Sequence, residues 1–198
     1  MDAFTQLLES YVSLKANPFT DALALSGMRL VRDSLFACYE RAPQAPQARG
    51  AMLYAALLSG ITLAQAGLGS VHGLAAPLGA FFPVPHGVAC GTLVATCTAM
   101  NVRALRERAP GSPALAKYAH VGKVLAGNMS LGDDAGCERL VATLTDWTRR
   151  LDLPLLSHYG MRREDVPRVV AQCRGSSMKT NPLVLTDGEV AETLAARL

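Results

Sequence analysis

Apolar residues recur along most of this chain at the spacing of a helix. In NPFTDALALSGMRLVRDSLFACYERA, residues 17–42, Leu23, Leu30, Val31 and Leu35 alternate with Arg29, Arg32 and Asp33 in a 3.6-residue pattern. Thr20, following Pro18, is the expected cap. APQAPQ closes this helix, and ARGAMLYAALLSGITLAQAG opens another that should stop near Gly67 or Gly69. A third long helix is expected from Gly87 to Ala109, apolar all round at its start and basic in its last turns, as a helix dipole favours. SPALAKYAHVGKVLAG, GCERLVATLTDWTRRLD, REDVPRVVAQCRG and TDGEVAETLAARL predict four more, the last opened by a Thr186-x-x-Glu189 capping box. No useful length alternates with period two. The fold class predicted is all-α, a multi-helical bundle forming a single domain over residues 1–198.

Charge changes the picture in the middle. Residues 50–102 contain no Asp, Glu, Lys or Arg. A membrane span is not expected, because Gly67, Gly69, Gly73, Pro77, Gly79, Pro83, Pro85 and Gly87 divide the run, and Ala, Ser, Thr and Gln dilute it. Two core helices joined by a turning segment, Val71 to Gly87, are expected instead. Half of the residues are hydrophobic and only 18% charged, which excludes disorder. The net charge of +3 is spread without a basic stripe, so nucleic acid is not an expected partner. Cys38, Cys90, Cys97, Cys137 and Cys173 show no CxxC spacing and are read as small apolar core residues, which fits a cytoplasmic location. Cys90 and Cys97, seven apart, are read as one core-facing side of a helix. No Gly-rich phosphate loop follows a strand, so a dinucleotide would need another domain. Met1 opens directly into helical pattern, as if the chain were part of something longer.

His120 and His158 lie among charged residues and are read as structural. His72 and His86 are each followed by glycine, sit where the helical pattern breaks, and lie inside the uncharged run. A buried neutral imidazole needs a partner for its ring nitrogens, and a divalent metal suits two imidazoles at once. A catalytic metal site takes a third protein ligand, often a carboxylate. The uncharged run has none, so Asp2, Glu9 and Asp21 are the candidates, and spacing does not choose among them.

DAFTQ, NPFTDALAL, VHGLAAPLGAFFPVPHG and the late RGSSMKTNPLVLT together resemble the C-terminal helical domain of the iron-containing alcohol dehydrogenases, relatives of glycerol dehydrogenase and dehydroquinate synthase. The resemblance runs from Met1 to Leu198. It implies an N-terminal nucleotide-binding α/β domain, absent from this chain, that carries NAD(P). It also implies a divalent metal, iron(II) first and zinc second, and oxidation of an alcohol or reduction of a carbonyl substrate in a homo-oligomer. Family ligands carried over fall on Asp2, Gln6, His72 and His86. Gln6 stands where the family has a histidine, and is either a weak fourth ligand or an orienter of its neighbours. Many relatives read HGxxHPxG, whose second histidine relays protons near the nicotinamide; here that position is Ala76. Two other readings stay open. One is a cyclase resembling dehydroquinate synthase; the other is a degenerate, non-catalytic helical domain that serves interaction or oligomerisation.

Overall fold

A computed structural model describes residues 1–41 and 43–198 in full. Its long helices are α1 (Asp2–Val12), α2 (Pro18–Arg41), α3 (Pro46–Ala66), α4 (Ser70–Phe81), α5 (His86–Arg108), α6 (Pro113–Ala126) and α7 (Asp133–Arg150). The shorter α8 (Val166–Gln172), α9 (Ser176–Lys179) and α10 (Asp187–Ala195) follow, and no strand occurs among the described residues. The expected all-α bundle is what forms.

Local chemistry sets most helix ends. The box at α10 is complete: Thr186 Oγ1 accepts from the Glu189 amide at 3.2 Å, and Glu189 Oε2 accepts from the Thr186 amide at 2.6 Å. Gly67 ends α3 at a φ of +72°, a conformation that L side chains rarely adopt. At the start of α2 the cap is Asn17 rather than Thr20. Its Oδ1 accepts from the amides of Phe19 (3.1 Å) and Thr20 (3.2 Å), because Pro18, lacking an N–H and with a pre-set φ, takes the first helical position.

The turning segment expected between residues 71 and 87 is itself a helix, α4, with Pro77 inside it, and only Phe82–Pro85 breaks the chain before α5. The reason lies outside the segment. The first turn of a helix leaves amide donors unpaired, and here buried side chains from distant elements accept from them. Asn181 Oδ1 receives the Ser70 amide at 3.0 Å, and the Glu9 carboxylate receives that of Val71 at 2.6 Å.

The core centres on α1, α4 and α5, where Phe4, Leu7, Leu8, Leu74, Leu78 and Leu93 are fully or almost fully buried. Phe4 meets Trp147 of α7 edge to face, ring centroids 5.1 Å apart. The apolar stretch His86–Arg108 is long enough to cross a membrane, but 78% of its apolar window is buried inside the bundle, as befits a central core helix. A buried polar knot ties α4, α5, α6 and the segment after α9. Asn101 Nδ2 reaches Ser70 Oγ (3.2 Å), Tyr118 Oη (3.0 Å) and Asn181 Oδ1 (3.2 Å). Helices α6 and α7 cross backbone to backbone, since a Cβ on Gly122 would fall 1.8 Å from the Gly136 carbonyl oxygen.

Candidate metal centre

Three helix starts meet at one place. Asp2 is the first residue of α1, His72 the third of α4 and His86 the first of α5. His72 Nε2 lies 3.1 Å from Asp2 Oδ1, His86 Nε2 lies 3.8 Å from the same oxygen, and the two ring centroids are 5.5 Å apart. Residues 72 and 86 meet because α4 carries the chain away and the extended Phe82–Pro85 returns it. The cluster opens outward: the His72 side chain is 6% exposed, that of Asp2 32% and that of His86 57%.

A fourth donor joins them. Cys90 stands one turn beyond His86 on the same face of α5, and its Sγ is 3.6 Å from both His72 Nε2 and His86 Nε2. One ligand atom from each of Asp2, His72, His86 and Cys90 fits within a span of 4.8 Å. The sequence reading placed Cys90 in the core beside Cys97. Both are buried, but only Cys90 touches the histidines. The signal was its spacing of four from His86, the helical interval that puts two ligands on one face.

Glu9, two turns along α1 from Asp2, occupies the layer behind. Its buried carboxylate lies 2.7 Å from His72 Nδ1 while also accepting from the Val71 amide. A carboxylate only accepts, so Glu9 keeps the ring proton on Nδ1 and leaves the Nε2 lone pair for a cation. Of the three carboxylates weighed from sequence, Asp2 is in the cluster, Glu9 orients a member of it, and Asp21 pairs with Lys117 at 2.8 Å elsewhere. The Gln6 amide oxygen, the atom expected as a weak ligand, instead accepts from Ser59 Oγ at 2.7 Å, and its amide nitrogen donates to Asp2 Oδ2 at 3.3 Å. Gln6 thus braces Asp2 from one turn away. Ala76 is exposed one turn beyond His72 on α4.

The electrostatics ask for positive charge. Burial alone would pull the His72 imidazolium down, but hydrogen bonds to Asp2, Cys90 and Glu9 outweigh it and hold the ring charged well above its usual range. The same His72 contact keeps the Asp2 carboxyl below its ordinary value against the effect of partial burial. Burial pushes the Cys90 thiol up. A proton on His72 or a divalent cation at Nε2 satisfies the surrounding oxygens equally well in sign. The donor set, two imidazoles and a carboxylate with a carboxylate behind one imidazole, fits a divalent metal.

The whole chain, residues 1–198, matches the model of the Fe-containing alcohol dehydrogenase family, C-terminal. It is 30% identical over 194 residues to a 1,3-propanediol dehydrogenase of Klebsiella pneumoniae, covering 96% of this chain and 48% of that protein. An NAD-dependent methanol dehydrogenase of Bacillus methanolicus is 27% identical over 197 residues, with 98% of this chain and 49% of that protein covered. The crystal structure of a 1,3-propanediol oxidoreductase superposes on all of this chain and 50% of its own, with a TM-score of 0.90 and 29% identity. The chain therefore spans about half the length of the curated relatives it matches. These matches favour the alcohol dehydrogenases, and none of them favours the cyclase or the non-catalytic reading. With its fold, its full-length match and its metal-type donor cluster in agreement, this chain belongs to the Fe-containing alcohol dehydrogenase family as a C-terminal domain.

Proposed function

We propose that the chain is the metal-bearing half of an NAD(P)-dependent alcohol dehydrogenase, in which Asp2, His72 and His86 hold a divalent cation. The observation that carries this reading is the convergence of those three side chains from three helices, with Glu9 fixing the tautomer of His72. When bound, the cation supplies Lewis-acid chemistry, lowering the pKa of an alcohol so that hydride can leave its carbon near neutral pH.

The chain's own residues do the positioning. Glu9 holds His72 through Nδ1, and Gln6 braces Asp2, so both ligand atoms are set before anything binds. His86, the most exposed member, marks the side from which a small alcohol or carbonyl substrate and the nicotinamide approach. Ala76 offers only a methyl group where many relatives have a proton-relaying histidine. Another group takes the alcohol's proton, and the pH dependence of turnover differs from that of relatives that have the histidine.

NAD(P) binding belongs to a nucleotide-binding domain outside these residues, in keeping with a chain half the length of its relatives. Leu53, Tyr54, Leu57 and Ile61 are exposed along α3, which favours association with that domain or with further copies of the chain. The test compares the parent with a His72→Ala, His86→Ala variant after loading with iron(II) or zinc. One metal per chain in the parent and none in the variant is expected; equal content in both defeats the assignment.

A further inference from the structure

Resting on that reading, we propose that Cys90 is the fourth metal ligand, a thiolate standing in for the histidine that Gln6 replaces, and that it turns the site towards zinc. The distances carry it. A tetrahedral metal bonded at about 2.3 Å to sulfur and about 2.0–2.1 Å to imidazole nitrogen holds those two atoms roughly 3.6 Å apart. Cys90 Sγ is 3.6 Å from His72 Nε2 and 3.6 Å from His86 Nε2. For carboxylate oxygen and imidazole nitrogen the same geometry gives roughly 3.4 Å, and the two such distances here are 3.1 Å and 3.8 Å, on either side of it. Four of the six donor–donor distances are thus close to the tetrahedral values, all four donors from α1, α4 and α5 lie within 4.8 Å of one another, and an alcohol oxygen would enter as a fifth ligand from the exposed His86 side.

The alternative fourth donor is turned away. Gln6 gives its amide oxygen to Ser59 and presents only N–H groups towards Asp2, and an N–H group has no lone pair for a cation. Cys97, the nearby thiol on α5, lies outside the cluster. Ligation exchanges the Cys90 S–H bond for a sulfur–metal bond and the His72 Nε2–H bond for a nitrogen–metal bond, releasing both protons to the solvent with no change of oxidation state. A soft thiolate beside two imidazoles suits zinc.

Cobalt(II) serves as the probe, because a thiolate bound to it gives a strong near-ultraviolet charge-transfer band that nitrogen and oxygen ligands do not. The protein is stripped with a chelator and titrated with cobalt(II), alongside Cys90→Ala, Cys97→Ala and the His72→Ala, His86→Ala variant, with circular dichroism to check folding. We expect the band to saturate at one cobalt per chain in the parent and in Cys97→Ala and to vanish in Cys90→Ala. In a competition titration Cys90→Ala should bind zinc at least 10-fold more weakly, since even residues behind the ligands cost 10–100-fold in affinity. Cobalt bound at one per chain without the band, or a band that survives Cys90→Ala, overturns the thiolate while leaving the histidine site standing. Cobalt uptake unchanged by loss of both histidines overturns the site itself. If Cys90→Ala proves misfolded, protection of Cys90 from alkylation by added zinc in the parent, read by mass spectrometry, decides instead. Unprotected Cys90 at saturating zinc refutes the ligand.

Discussion

Glu9→Gln tests how much of the centre is built in advance. The substitution keeps the shape of the side chain and removes its charge. In the parent, one buried carboxylate receives the Val71 amide at 2.6 Å and faces His72 Nδ1 at 2.7 Å, with the His72 amide more distant at 3.4 Å. A glutamine offers a single acceptor oxygen, so with the Val71 amide kept on it the NH2 group donates to His72 Nδ1 and the ring proton moves to Nε2, the atom a cation needs. Bonds to a charged group contribute about 1.5–3 kcal/mol each, and neutral ones about 0.5–1.5 kcal/mol. Trading two charge-assisted bonds for neutral ones, less the relief of no longer burying a charge, comes to roughly 1–3 kcal/mol. At about 2–4 °C per kcal/mol for a domain of this size, the midpoint should fall by roughly 2–12 °C in chelator. Calorimetry reads that value, and competition with a chromophoric chelator reads metal affinity, which should fall 10–100-fold. A variant that melts within a degree of the parent and binds zinc as tightly would refute the claim that Glu9 caps α4 and orients His72.

Other expectations are quicker to check. Gly122→Ala forces a Cβ to 1.8 Å from the Gly136 carbonyl oxygen, so two backbones must part; overpacking outweighs the gain in helix propensity and should cost on the order of 3 kcal/mol by thermal unfolding. Gly60→Ala, on the open side of α3 with nothing within 4 Å, should instead add about 0.5–1 kcal/mol, and two changes of the same sign would contradict the close-crossing account. His120 Nε2 is buried with no partner among the described residues, and burial, then Arg29 and Lys123, lower its pKa. The unfolded chain therefore takes up a proton near 6.5 that the folded one refuses, so His120 favours unfolding as pH falls below that value and has no such effect above it. Chemical denaturation at pH 7.5 and 5.5 should show a smaller loss for His120→Gln than for the parent; equal losses would count against it.

Most helices were legible because their signals are local. Thr186 and Glu189 close a box within one turn, and Gly67 ends α3. Helix α4 was illegible because its signals are distant: Pro77 and the glycines look like a turn, while Glu9 and Asn181, which receive its first amides, lie 62 and 111 residues away in sequence. Asp2, His72 and His86 were found through their motifs, and the structure brings them together. Cys90 was passed over because its spacing of seven from Cys97 in an apolar helix, the spacing of core packing, masked its spacing of four from His86. Glu9 was weighed as a ligand, but a sequence does not say which of two carboxylates on one helix joins the donor cluster and which reaches the ring behind it.

On the proposed reading, the joining of α1 to the starts of α4 and α5 at a single cluster would make a bound cation a mechanical part of the protein. Asp2 is separated from His72 by 70 residues, and a cation held between them would tighten a loop that core packing and the Glu9 contacts already close. Cation binding then acts as a reversible cross-link whose strength follows supply: at a free concentration 1,000 times the dissociation constant it adds about 4.1 kcal/mol to the folded state. The amides of α1 become a gauge of occupancy, exchanging slowly when metal is plentiful and sooner than those of the core helix α5 when it is scarce.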